Sequence, residues 1–390
     1  MSDLELCYLP ATEAIKRFKA KTLSPVELLE ALIKRSEEVD PVINAFTYRH
    51  FDEAMANAKK AEAKYASGKR TRALEGLPIG IKDENFIKGK PTSSGSLIMK
   101  DFVADKTSVG NERILRAGGI VHARTATPEF SSAGYTNSRL WGVTRNPWNP
   151  EFTPGGSSGG SAASLAAGTS AIATGSDIGG SIRIPAGTCG LVGYKPPYGR
   201  NSDDPPFNLD FYCHTGPLAR NVNDAILLQN VMCGPHPKDM ASLRPKLRLP
   251  AHYPPIKNWK IAFSMDLGFF EVDPDVQKNT LKALDVFRDL GATVEEVDLG
   301  WDHRALDAGI AYLSHIFGAY MATYLAEHAD KMTNYVRQWA EEAQKSTSAD
   351  FLQTLEVANK MYATVGPLLE KYQVLVCPTN ALPAVPADFD

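Results

Sequence analysis

The chain has 390 residues, of which 43% are hydrophobic and 22% charged, a soluble globular composition in one large α/β unit or two domains. Its net charge of −3 gives no electrostatic ground for nucleic acid or an acidic membrane as partner. Five scattered cysteines without short paired spacing (Cys7, Cys189, Cys213, Cys233, Cys377) and an acidic start, MSDLELCYLP, suggest no metal site and no signal peptide, so the cytoplasm is the expected location.

Ser24 and Pro25 supply a cap and a first-turn proline for a helix over Val26–Val39, whose apolar face is Leu28, Leu29, Leu32 and Ile33. Ile43–Tyr48 reads as a short strand and Phe51–Tyr65 as a surface helix. From Leu77 the alternation typical of α/β folds begins: a strand to Lys82, a helix around Asn111–Ala117 and a strand over Ile120–Arg124. The proline- and glycine-rich segment Thr125–Pro150 is a loop of the length that compact proteins keep for function.

The stretch Thr153–Gly187 carries two clusters, Gly155-Gly156-Ser157-Ser158-Gly159-Gly160 and Ile178-Gly179-Gly180-Ser181. Between them Ser161–Ala167 reads as a short helix, with Ser157 or Ser158 as its cap, and Thr169–Thr174 as a buried strand stopped by Gly175. Each cluster therefore sits at an edge of regular structure, where backbone can approach a ligand with no Cβ in the way. The amides of Ile178, Gly179, Gly180 and Ser181 can converge on developing negative charge, and the Ser181 hydroxyl then attacks a carbonyl held by the same row.

A serine needs a base, and no histidine lies within thirty residues on either side of Ser181. The candidate is Lys82, delivered inward by Leu77-Pro78-Ile79-Gly80-Ile81. Burial disfavours its ammonium, while Asp83 opposes that effect if it points at Lys82. Taken alone, such a lysine is more often a solvated strand end.

Three segments, GLPIGIKD at 76–83, GGSSGG at 155–160 and SDIGGSIRIPAG at 176–187, together resemble the amidase signature enzymes over about Leu4–Arg220. The resemblance implies an α/β fold, with a mixed central β-sheet covered by helices on both faces, as a single domain over 1–390. It also implies a Ser-Ser-Lys triad: Ser181 as nucleophile, Ser157 as bridging serine in a cis peptide and Lys82 as base, with no metal or cofactor. The position of Ser131 in the long loop matches one that contributes backbone to the site, with Phe130 and Ser132 beside it.

Beyond Gly187, Leu191–Pro196 resembles the family's next strand. Asn201–Tyr212, which includes Phe207, is either a proline-stiffened surface turn or a place where substrate preference is written. Pro235–Pro255 reads as an excursion between two halves. Lys260–Met265 and Thr293–Val297 read as strands flanking a helix capped by Asp273, opened by Pro274 and running to Leu290. Helices fill Ala305–Leu369, and Val374–Cys377 is a last strand. The uncharged Ala308–Ala326, with Tyr312, Ile316, Tyr320 and Tyr324 on one stripe, reads as a buried helix rather than a membrane span. Relatives continue past the segment resembling Val376-Cys377-Pro378-Thr379, so the chain is expected to lack the family's usual C-terminal segment.

The expected function is hydrolysis of a small-molecule carboxylic amide to acid and amine or ammonia through a Ser181 acyl-enzyme. Carbamate, ester and aryl-amide hydrolysis use the same triad. The alternative is the glutamine-hydrolysing subunit of a tRNA-dependent amidotransferase, and Ile184, where that subunit resemblance would favour an amide side chain, leans toward a stand-alone enzyme. A homo-oligomer is compatible with the sequence. A competing G-x-S-x-G elbow at Ser157 with a histidine such as His303 requires a preceding buried strand, and the three prolines of 147–154 oppose one. Asp177 and Arg183 read as an ion pair pinning the nucleophile loop.

Overall fold

The computed structural model describes residues 1–389. The chain divides into two compact units. One comprises Met1–Ala251, Lys331–Thr333 and the residues from Ala384 onward, the other His252–Asp330 and Asn334–Pro383.

In the first unit the strands are β1 (Phe46–Arg49), β2 (Pro78–Lys82), β3 (Ile120–Thr125), β4 (Asn137–Ser138), β5 (Gly142–Val143), β6 (Ile172–Asp177), β7 (Val192–Gly193) and β8 (His214–Ala219). β4 and β5 form a separate hairpin, and the others make one sheet in the order β1-β3-β2-β6-β8-β7. β3, β2 and β6 run parallel at its centre, whereas β1, β8 and β7 pair antiparallel with their neighbours. The parallel centre requires crossovers; Val109–Arg116 lies between β2 and β3, and Gly159–Ala166 between β3 and β6.

Neighbouring residues of a strand face opposite sides of the sheet. Ile172 belongs to a core with Phe18, Leu28, Leu32 and Leu228, which covers one face with the helices Ala11–Ala20, Pro25–Ile43 and Val222–Met232. The next residue, Ala173, belongs to a second core with Leu165, Ile182 and Ala186, from Gly159–Ala166 and the turn into Arg183–Cys189. β8 repeats the division, with Leu218 in the second core and Ala219 in the first. The sheet is mixed and carries helices on both faces, as the resemblance implied.

Three boundaries differ from the sequence reading. The first long helix continues past Val39 to Ile43, with Pro41 inside it and Asn44 closing it in the left-handed conformation. The Asp40 carboxylate takes the Ala45 amide at 2.7 Å and the Arg49 guanidinium, which fixes that corner and moves the strand to Phe46. Next, β6 lies three residues later than Thr169–Thr174, because the amides of Thr169 and Ser170 both return to the Ser164 carbonyl at the helix exit. Gly175 does not stop it: Gly175 sits in the ladder opposite Gly216, where a Cβ would press on Leu218 and the Ser158 hydroxyl. That shift brings Ser176 and Asp177 into the end of the sheet. Finally, only Val192–Gly193 of Leu191–Pro196 pairs as a strand, and Pro196 has no amide to extend the ladder.

The second unit holds β9 (Lys260–Phe263), β10 (Thr293–Glu296) and β11 (Val374–Val376), parallel in the order β10-β9-β11. Its helix Pro274–Asp289 begins as expected, with the Asp273 carboxylate accepting the Asp275 amide. The span 305–369 is helical but interrupted by a π-turn at Ser314–Gly318 and by breaks before Leu325, Asn334 and Ser348. Among the described residues no helix is long and apolar enough to cross a membrane.

Candidate active site

All five residues of β2 are buried, so the strand delivers Lys82 into a place without solvent. Lys82 Nζ donates to Ser157 Oγ at 2.7 Å and to Ser176 Oγ at 2.8 Å. Burial pushes the pKa of the amine below the ordinary lysine value, and the Glu84 carboxylate, 3.4 Å away, opposes that shift. Asp83 does not face the amine. Its carboxylate lies 3.5 Å from the Arg124 guanidinium and accepts the Ser93 hydroxyl; burial raises it to about 6, with Arg124 and Ser93 acting against the rise. Arg124 in turn donates to the Lys82 carbonyl at 3.1 Å and the Asn85 carbonyl at 2.6 Å, which holds the turn that carries Lys82 and Glu84.

Ser157 lies between the Gly156–Ser157 peptide, which is cis, and the helix Gly159–Ala166. That helix begins hard against the loop after β3: at Gly160 a Cβ would collide with the backbone of Ala126 and Ala45. Its first turn is fastened to β6, because Ser161 Oγ donates to the Thr174 carbonyl at 2.8 Å and Ser158 Oγ accepts the Ser176 amide at 3.3 Å. Neither serine expected as helix cap acts as one. Ser158 occupies the cap position without a side-chain bond to the helix amides, because its hydroxyl reaches across to β6, while that of Ser157 meets Lys82.

The second cluster hangs from Asp177, the last residue of β6. The Asp177 carboxylate accepts the amides of Gly180, Ile182 and Arg183 at 2.8, 3.1 and 3.3 Å, and two bonds from the Arg183 side chain at 2.9 and 2.7 Å. Lys195 adds an ion pair at 3.3 Å and donates to the Ile178 carbonyl at 3.3 Å. Burial by itself raises the Asp177 pKa; the Arg183 bonds and the charges of Arg183 and Lys195 outweigh it and hold the carboxyl well below the usual range. The pinning pair read from the sequence is thus present, and it also organises the loop's backbone. It corrects one detail of the expected row of donors: the Gly180 amide is committed to Asp177, at a residue whose φ of 115° suits glycine. The amides of Ile178, Gly179 and Ser181 have no internal acceptor among the described residues.

Ser181 is joined to the first cluster through its carbonyl, which accepts the Ser158 amide at 3.1 Å. Lys82 and Ser157 are fully buried, whereas Ser181 keeps 9% of its surface exposed. The arrangement places an amine and a hydroxyl in the interior, and ties the backbone of a second serine, at the edge of solvent, to the residue that follows Ser157.

Phe130 and Ser131 are consecutive left-handed residues in the short turn Glu129–Ser131. The Phe130 amide is bonded to the Ser94 carbonyl at 2.7 Å. Ser131 enters the site by its side chain, donating to Glu84 and lying 2.8 Å from the Thr127 hydroxyl. The Ser132 hydroxyl returns to the Glu129 carbonyl at 2.8 Å. Phe207 opens a short turn, Phe207–Leu209, and is half-buried. The competing elbow at Ser157 lacks its strand, since nothing between β5 and the helix at Gly159 is a strand.

Sequence reasoning missed Glu84, Ser176 and Lys195. Ser176 carried a signal, since a hydroxyl two residues after Thr174 on one strand shares its face. Lys195 carried none beyond being a charged residue in an otherwise uncharged segment, and Glu84 was one more polar residue in the run Lys82-Asp83-Glu84-Asn85.

A family model described as Amidase matches residues 27–389. The chain is similar to an acylamidase of Rhodococcus erythropolis, 32% identical over 99% of this chain and 82% of that one. It is also similar to the A subunit of a glutamyl-tRNA(Gln) amidotransferase from Carboxydothermus hydrogenoformans, 38% identical over 80% of this chain but 64% of that protein. Among solved structures, a bacterial aryl acylamidase described as belonging to the amidase signature enzymes superposes with a TM-score of 0.91 at 30% identity, covering 98% of this chain and 82% of that one.

Proposed function

The chain belongs to the amidase signature family and is a hydrolase of amide C–N bonds, and from that premise we propose that it cleaves small acylamides as a stand-alone enzyme through a Ser181 acyl-enzyme. The observation that carries the reading is the 2.7 Å contact between Lys82 Nζ and Ser157 Oγ, both in the interior. In the neutral form of Lys82 the Ser157 hydroxyl donates to Nζ. Ser157 passes its proton to Lys82 as it takes one from Ser181, whose oxygen attacks the substrate carbonyl. The unpartnered amides of Ile178, Gly179 and Ser181 receive the oxyanion. Ser157 then returns the proton to the departing amine or ammonia, and water hydrolyses the acyl-enzyme by the reverse path.

The stand-alone reading is supported by the acylamidase likeness, which spans nearly the whole chain, whereas the amidotransferase protein extends well beyond the matched part. Ile184 agrees. A cytoplasmic location is proposed from the five free cysteines. The experiment is turnover by the purified chain alone on a panel of acyl anilides, primary acylamides, carbamates, esters and glutamine. Hydrolysis of acylamides without ATP or a partner supports the proposal. Turnover restricted to glutamine, and only when an amidotransferase partner and ATP are added, overturns it.

A further inference from the structure

Lys82 has a charged neighbour that the relay leaves without a role. Glu84 Oε2 lies 3.4 Å from Lys82 Nζ and accepts the Ser131 hydroxyl. Ser131 is in turn 2.8 Å from the Thr127 hydroxyl. Glu84 Oε1 is buried with no hydrogen-bond partner among the described residues. The Glu84 side chain keeps 18% of its surface, the Lys82 side chain none. A carboxylate left half-satisfied beside a buried amine costs stability. Such an arrangement is explained when the missing favourable term appears only during turnover.

The other groups around the amine do not serve. From β6, Ser176 offers a neutral hydroxyl at 2.8 Å, and Asp177 is already engaged by Arg183, Lys195 and three amides. From the glycine cluster comes Ser157, the reacting partner. From the turn before β8, the Cys213 thiol is pushed well up by burial and by its neighbours Asp203, Glu84 and Asp210, so it stays uncharged. Asp83 is turned to Arg124, and the Arg124 guanidinium, also near Glu84, spends its Nη2 on carbonyls. Glu84 is the carboxylate in direct contact with the amine.

We propose that Glu84 is a positioning residue acting through Lys82: its carboxylate stabilises the ammonium that forms when Lys82 takes the proton released through Ser157, and the Ser131 hydroxyl holds that carboxylate in place. The inference rests on Lys82 being the base. No bond forms to Glu84; the proton moves from Ser181 to Ser157 and from Ser157 to Lys82 Nζ, and none passes to Glu84. An uncharged residue in its place leaves the amine easier to deprotonate at rest and a poorer acceptor at the moment of attack. The two effects have opposite signs in the pH profile, which separates this role from simple packing.

The test is the pH dependence of kcat/KM on an acylamide turned over by the wild type, for the wild type, Glu84→Gln, Glu84→Asp and Ser131→Ala. Circular dichroism confirms that each variant is folded. Glu84→Gln is expected to move the midpoint of the acid limb down by about one pH unit or more, the size of effect of a removed neighbouring charge. Its plateau is expected to fall roughly tenfold or more. Glu84→Asp is expected to recover part of both changes, and Ser131→Ala to shift the limb in the same direction by less. A lowered plateau with an unmoved acid limb in Glu84→Gln assigns Glu84 to packing and overturns the inference. If Glu84→Gln does not fold, Ser131→Ala decides, and an unmoved limb there overturns it. Lys82→Ala, measured alongside, separates the two claims: activity retained there defeats the reading of Lys82 as base, whereas loss there with an unmoved limb in Glu84→Gln defeats only the role of Glu84.

Discussion

Lys82 Nζ and Ser157 Oγ lie 2.7 Å apart although 75 residues separate them in the chain, and neither residue has any contact with solvent. A lysine in that position is disfavoured as an ammonium by burial, with Glu84 acting the other way. The chemistry follows from which form is present. The base is the neutral amine, so kcat/KM is expected to rise with pH as Lys82 loses its proton, along a limb lying below the ordinary lysine range. In Lys82→Ala that limb disappears and turnover falls by roughly 10³-fold or more at every pH. A stopped assay of the acid released, run across the pH range for both proteins, checks it.

Ser157 is expected to matter for proton transfer rather than for substrate affinity. Ser157→Ala should lower kcat by on the order of 10³ while KM changes little, the pattern of an interaction made only in the transition state. Steady-state kinetics on one acylamide, with the rate of fluorophosphonate labelling as an independent readout, measure it. A raised KM with unchanged kcat would place Ser157 in substrate binding instead.

Asp177 ties three amides and two cations to the end of β6. Asp177→Asn keeps the shape but leaves Arg183 and Lys195 without their shared counter-charge. The expected cost is about 3 kcal/mol of stability at neutral pH, as for a broken buried pair, together with a loss of kcat because the loop of 178–181 loses its anchor. The sign with pH follows from the depressed carboxyl. The stabilisation from Asp177 is fully present above the unfolded-state aspartate pKa of about 3.9 and is lost as pH falls through the lower folded value. Urea unfolding of both proteins between pH 7 and pH 3 should therefore show a gap that is constant at neutral pH and narrows only in acid. A constant gap down to the lowest pH would contradict it.

Gly160 admits no side chain, because the helix start abuts the Ala126 backbone. Gly160→Ala is expected to lower stability by about 3 kcal/mol through overpacking and to lower the melting temperature accordingly. Ala162, further along the same helix, already carries a methyl group in a well-filled core. Ala162→Gly should cost less, about 2 kcal/mol, of which about 1 comes from helix propensity and the rest from the lost methyl. Differential scanning calorimetry of the two variants ranks them.

The sheet, its covering helices and the three segments that meet at Lys82, Ser157 and Ser181 were legible in the sequence. Apolar strand runs, glycine clusters and helix caps are local signals, and the order of the three motifs carried the resemblance. What was not legible depended on contacts between distant segments. β6 moved three residues because Ser164 captures the amides that follow its helix and because Gly175 faces Gly216. The cap serines were misassigned because their hydroxyls found partners on Lys82 and on β6. The direction of Asp83 and Glu84 is set by Arg124 across the sheet, which no local pattern around Lys82 records. The commitment of the Gly180 amide to Asp177 is a turn detail of the same kind.

The most direct measurement is peptide mapping by mass spectrometry after the purified chain is briefly incubated with an activated acyl anilide and quenched in acid. The account predicts one acyl increment, on the peptide that contains Ser181, formed faster as pH rises and absent from Ser181→Ala. An increment on Ser157 instead, or continued hydrolysis by Ser181→Ala, would contradict it.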